Sequence, residues 1–140
     1  MIEINNLTNT LIDKRFFKRA VQVIFKGEKK EINLSIAFIG REEIRELNKK
    51  YRKRNTATDV LSFGKAKGFK EGSDSKVKEI AICPSIIREN AKKYKSTFKK
   101  ELVRVLIHGV LHLFGYDHEK GEKEKKKMER KEDYYILKIL

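Results

Sequence analysis

A chain of 140 residues with 39% hydrophobic content suits one domain with its own core. It holds no apolar run near the roughly 18 residues of a membrane span, and its start, Met1 to Asn5, lacks the basic and apolar regions of a signal peptide, so a cytoplasmic protein is expected. The 34 Lys and Arg outnumber the 20 Asp and Glu, and the net charge of +14 points to a polyanionic partner.

In chain order, Met1 to Asn5 reads as a short edge strand. Thr10 to Lys26 is predicted as an amphipathic helix with an apolar stripe of Leu11, Phe16, Phe17, Ala20, Ile24 and Phe25. From Glu31 to Ile39 the apolar residues alternate. Ile32, Leu34, Ile36 and Phe38 face one way, as in a half-buried strand. Arg41 to Tyr51 is a short helix with Ile44, Leu47 and Tyr51 inward. Thr58 to Phe63 is a strand, Gly64 to Val77 a polar loop, and Glu79 to Cys83 another strand. Cys83, the only cysteine, excludes an internal disulfide and reads as a small buried hydrophobe. Pro84 suits a first helical turn, and that helix runs on to Tyr94. Ser96 or Thr97 caps a buried helix bearing His108 and His112. A C-terminal helix follows, with Met128, Tyr135, Ile136 and Ile139 as its inner face.

The order β-α-β-α-β-β-α-α-α defines an α+β single domain, with a mixed sheet of about four strands and helices packed over it. Strands that follow helices are expected to pair in parallel, and Thr58–Phe63 with Glu79–Cys83 to form a hairpin.

All three histidines fall within His108-Gly-Val-Leu-His112-Leu-Phe-Gly-Tyr-Asp-His118. Residues four apart lie on one helical face, so His108 and His112 stack one turn above the other. Gly115 lets the chain leave the helix in a left-handed conformation and return His118 toward them. The neighbours Val105, Leu106, Ile107, Val110, Leu111, Leu113 and Phe114 are apolar, and two buried imidazoles without partners would cost about 1–3 kcal/mol each. A metal uses them. Three imidazoles with a fourth position open describe a catalytic zinc, one per chain, although other divalent transition metals also suit imidazole. Zinc proteases share these offsets but place a glutamate, their general base, where this chain has Gly109.

The charge is unevenly placed. Glu119 to Asp133 carries seven basic and six acidic residues and reads as a solvated helical face. Lys49 to Arg54 has five basic residues in six, and Arg88 to Arg104 has seven basic and two acidic. A third basic stretch runs from Lys14 to Lys30. Such clustering favours a nucleic-acid surface, whose attraction to phosphates is independent of sequence.

The histidine segment resembles the signature of the YbeY family, bacterial metal-dependent endoribonucleases of ribosomal RNA maturation. Leu47-Asn48-x-x-Tyr51-Arg52-x-x-x-Thr56-x-Thr58-Asp59-Val60-Leu61-Ser62-Phe63 is similar to its second motif, and Glu79 to Pro84 to its central strand. The likeness runs from Leu34 to Met128. It differs in two places: Ala57 stands where the family usually has proline, and Lys78 precedes Glu79 where glycine and an acidic residue are usual. The resemblance implies hydrolysis of single-stranded RNA with zinc on His108, His112 and His118, and a role in 16S rRNA 3′-end maturation and ribosome quality control. It implies the ribosome or ribosomal proteins as partners and makes Arg52 the functional arginine. A guanidinium binds phosphate through paired hydrogen bonds and stabilises charge developing on phosphoryl oxygens.

Lys50, Lys53, Arg54 and Ser62 are weaker candidates for substrate contact. Asp59 and Asp117 are candidates to receive the free N–H of a ligand histidine, with Asp117 alternatively capping the turn after Gly115. Two rival functions stand beside the nuclease: a metalloprotease-like hydrolase, and a non-catalytic ribosome- or RNA-binding factor with a structural metal.

Overall fold

A computed structural model describes residues 1–64 and 77–140. Strands β1 (Ile2–Asn6), β2 (Asn33–Phe38), β3 (Val60–Phe63) and β4 (Val77–Ile82) form one sheet in the order β1-β2-β4-β3. β1 pairs with β2 and β2 with β4 in parallel, while β3 pairs antiparallel with β4, so the sheet is mixed and the hairpin forms. Five helices accompany it among the described residues: α1 (Lys14–Glu28), α2 (Arg41–Arg52), α3 (Pro84–Lys93), α4 (Phe98–Leu113) and α5 (Glu122–Ile139). None is long and apolar enough to cross a membrane.

The two faces of the sheet are covered unequally. Leu34, Ile36, Phe38, Ile80 and Ile82 point into the larger core, shared with α1, α4 and α5. Ala37, Ile39, Leu61, Phe63, Ala81 and Cys83 point the other way, against Ile44 of α2. This second layer corrects the reading of 31–39 as a half-buried strand. Every β2 residue after Asn33 is buried, because a central strand covered on both faces has no solvent side. Cys83 is buried as expected, and burial pushes its thiol up, away from the reactive thiolate.

α1 starts later than predicted, and Leu11 is 96% exposed instead of part of the stripe. Asn6 Nδ2 donates to the Thr10 carbonyl at 2.7 Å, and the Thr8 hydroxyl accepts from Thr10 N at 3.2 Å. These local bonds satisfy the backbone in a turn, which competes with helix formation. Asp13 then caps α1 by accepting from Phe16 N at 3.1 Å. The predicted loop from Gly64 to Val77 falls mostly on 65–76, outside the described residues, and Val77 itself opens β4. Lys78 joins the hairpin's two strands, its ammonium donating to the Gly64 carbonyl at 3.0 Å.

Candidate active site

Thr97 is the residue that caps α4, its hydroxyl accepting from Lys100 N at 3.1 Å. The helix is held against the sheet by Leu102, Val103, Leu106, Ile107, Val110 and Leu111. That packing leaves His108 and His112 together on the rim, half-buried. α4 ends as the glycine predicts. Gly115 adopts φ +102°, its N–H bonds the His112 carbonyl at 3.0 Å, and Tyr116 N–H bonds the Leu111 carbonyl at 3.2 Å. The chain doubles back into a 3-10 turn that begins at His118, whose ring lies 5.2 Å from that of His108, centroid to centroid.

His108, His112 and His118 line one cavity of about 640 Å³. The same cavity is lined by Arg52 at the end of α2, Arg54 just beyond it, and Asp59 and Ser62 leading into and along β3. Arg52 Nη2 donates to the Ser62 carbonyl at 3.1 Å, which holds the guanidinium beside the cavity. Asn48, buried on α2, donates to the Thr56 carbonyl at 2.9 Å and holds the turn in which Ala57 replaces the expected proline. Lys50 and Lys53 are exposed and do not line the cavity.

Two ring contacts set the histidines' chemistry. His108 Nδ1 lies 2.6 Å from Glu132 Oε1, and His112 Nδ1 lies 3.1 Å from the Tyr116 carbonyl. A carbonyl or ionised carboxylate only accepts, so each Nδ1 carries the proton and each Nε2 keeps its lone pair. This is how metal-binding histidines are usually held. Among the described residues no three His, Cys, Asp or Glu side chains form a ready-made cage. In donor chemistry the set fits a zinc-like ion: three imidazoles on one cavity, two with the nitrogen away from their hydrogen bond available.

Several placements differ from the sequence reading. Asp117 lines the cavity but caps the 3-10 turn, accepting from Glu119 N at 2.9 Å. Asp59 accepts from the Thr58 hydroxyl at 3.3 Å. The carboxylate on a histidine is Glu132, from the stretch read as a solvated face. A signal existed for it: Glu132 follows buried Met128 by four and precedes buried Tyr135 by three, so it shares the inner face of α5. Ser62 turns its hydroxyl toward the Gly109 carbonyl, 3.4 Å away.

Gly109 has a spatial reason. A Cβ there would sit 3.2 Å from Ile80 Cδ1 and 3.3 Å from Ser62 Oγ, so the position faces the sheet. Any larger side chain at 109 would press on Ile80 and Ser62, a contact that glycine leaves relaxed.

The family model described as Endoribonuclease YbeY matches residues 3–139. The chain belongs to the YbeY endoribonuclease family. Endoribonuclease YbeY of Thermosipho melanesiensis is 39% identical over 133 residues, covering 95% of this chain and 92% of that one. Endoribonuclease YbeY of Thermotoga neapolitana is 40% identical over 116 residues, covering 83% and 73%. A solution structure of a Thermotoga maritima protein superposes with a TM-score of 0.68 at 33% identity, over 99% of this chain and 89% of the other. As a YbeY chain, the protein is placed among hydrolytic nucleases. Its YbeY motifs line one cavity, the histidine segment from α4 and the turn after it, the arginine segment from α2 and β3.

Proposed function

We propose that this protein is a zinc-dependent endoribonuclease directed at single strands, and that its cellular substrate is the 3′ end of 16S rRNA during ribosome maturation and quality control in the cytoplasm. The observation that carries the reading is the pairing of three histidines, two oriented through Nδ1, with Arg52 and Arg54 on the same cavity. His108, His112 and His118 would hold the ion, zinc or another divalent transition metal. Bound there, it supplies Lewis acidity toward a phosphoryl oxygen and acidifies water.

The chain's own residues do the rest. Arg52 offers a planar guanidinium to a phosphate and stabilises charge building on its oxygens in the transition state. Arg54, with Lys50 and Lys53 on the outer surface, extends the positive rim along a backbone too wide for the cavity alone. Asp59, Asp117 and Glu119 line the cavity and are the carboxylates within it that can take a proton. A single strand suits the site because its phosphates can follow one concave wall. The packing around Gly109 speaks against the peptidase reading.

The test joins elemental analysis of the purified protein to cleavage of a labelled single-stranded RNA, with and without chelator. The expected result is close to one bound transition metal per chain and cleavage abolished by chelator and restored by zinc. Salt-sensitive RNA binding without cleavage at any metal loading would assign the chain to binding instead. Products ending in a 2′,3′-cyclic phosphate identify the ribose 2′-hydroxyl as nucleophile, and a 3′-hydroxyl with a 5′-phosphate identifies water.

A further inference from the structure

A second polar cluster lies behind the histidines, away from the cavity. Glu28 closes the last turn of α1, and its side chain is only 6% exposed. Its Oε1 accepts from the Tyr116 hydroxyl at 2.6 Å. Its Oε2 accepts from the Tyr135 hydroxyl and, at 3.1 Å, from the Lys131 ammonium. One carboxylate therefore joins three elements that are remote in sequence: α1, the turn after α4, and α5.

The partners explain what this junction does. Tyr116 presents its backbone carbonyl to His112 Nδ1. Lys131 and Tyr135 flank Glu132, whose carboxylate meets His108 Nδ1. The acceptor for His112 thus belongs to a residue that Glu28 holds, and the acceptor for His108 sits in the helical turn between two others. The approach is also built into the helix: a Cβ on Gly27 would collide with the Tyr135 ring, so glycine there lets the tyrosine pass to Glu28. Burial pushes the Glu28 carboxyl up, but the hydrogen bonds from Tyr116, Tyr135 and Lys131 outweigh it and hold the group below the usual carboxylate range. The acceptor stays ionised at neutral pH. Nothing in the sequence points to this cluster, since Glu28 is one more charge in a Lys-rich helix end.

The geometry points to Glu28 as a positioning residue for the histidine site: through Tyr116 and through the Lys131–Tyr135 turn it fixes the two acceptors that keep His108 and His112 protonated at Nδ1 with Nε2 turned to the cavity. This rests on the metal reading of the site, and it adds a residue that touches neither metal nor RNA. Positioning partners of metal ligands usually change affinity roughly 10–100-fold.

Glu28→Gln and Tyr116→Phe test it, with Tyr134→Phe as a control at a half-exposed neighbour of the cluster. The first readout needs no metal. Nitrogen-15 shifts of the histidine rings are recorded on metal-free protein, well above the ordinary imidazole range. Wild type and Tyr134→Phe should show His108 and His112 as single Nδ1–H tautomers. Glu28→Gln should show mixed tautomers at both rings, and Tyr116→Phe at His112 chiefly. The second readout is zinc affinity by competition with a chromophoric chelator. It should fall roughly tenfold or more in Glu28→Gln, less in Tyr116→Phe, and not at all in the control. Should Glu28→Gln fail to fold, Tyr116→Phe decides, since it deletes one hydroxyl. Lowered melting temperature with wild-type tautomers and zinc affinity would overturn the proposal and leave a structural tie. If wild type itself bound no metal, the nuclease reading would fall, while the tautomer measurement would still decide the role of Glu28.

Discussion

The two walls of the cavity are built differently. On the α4 side two rings are tied to partners, His108 to Glu132 and His112 to the Tyr116 carbonyl; Glu28 bonds the Tyr116 hydroxyl and, through Lys131 and Tyr135, the helical turn that carries Glu132. On the α2 side Arg52 is exposed and hydrogen-bonds the Ser62 carbonyl, while Arg54, Lys50 and Lys53 spread over the surface. The supporting layer on the α4 wall suits the proposed metal, which would demand donors at fixed angles. A phosphodiester backbone is long and repetitive, and the outlying cations Arg54, Lys50 and Lys53 need charge and reach more than a unique geometry, whereas the planar guanidinium of Arg52, held by Ser62, offers a paired contact.

Substitutions can break or sharpen this contrast. The largest effect is expected on the anchored wall: His108→Ala, His112→Ala and His118→Ala should each lose bound metal and RNA cleavage while circular dichroism stays native. Cleavage at the wild-type rate by a metal-free triple variant would remove the site from the chemistry. Gly109→Glu should cost about 3 kcal/mol or more in a urea melt, since it overpacks the helix–sheet contact and buries a carboxylate. Were it to fold normally and gain peptidase activity, the sheet-facing account of this position would fail. On the open wall, Arg52→Lys should lower cleavage about 100-fold with metal content unchanged, because an ammonium cannot reproduce the paired contact. Loss of metal in that variant would mean the walls are coupled.

Acid should also weaken the tie at Glu28. Glu28 has a folded-state pKa below the ordinary carboxylate value, so its contribution is complete above that value and is lost as pH falls through the folded one. The stability difference between wild type and Glu28→Gln should therefore hold at neutral pH and shrink in acid; a difference independent of pH would contradict it. The smallest effect belongs to Lys53→Ala, for which we expect a slightly shallower salt dependence of RNA binding and no change in metal content.

Much of the fold was legible because its signals are local. The α1 stripe from Phe16 to Phe25, the cap at Thr97 and the glycine exit at Gly115 each depend on neighbours within a few turns, and strands β3 and β4 each show their own apolar pattern. The three histidines were legible for the same reason, since their spacing places them on one face and one turn. The burial of β2 on both faces was not, because the covering by α2 is a property of the sheet order.

By itself the sequence determined an α+β domain, the histidine segment, the positive rim and the family motifs. It also settled that position 109 carries no base. Only the tertiary structure decided why: that residue faces Ile80 and Ser62 across a helix–sheet contact. Tertiary structure likewise decided that Arg52 lines the same cavity as the histidines, that the carboxylate on His108 is Glu132 and not Asp59 or Asp117, and that Glu28 bonds Tyr116, Lys131 and Tyr135. The physical reason is sequence distance. Glu28 and Tyr135 are 107 residues apart, and His108 and Glu132 are 24 apart. No periodicity links such pairs, and they meet only when α1, α4 and α5 pack against the same face of the sheet.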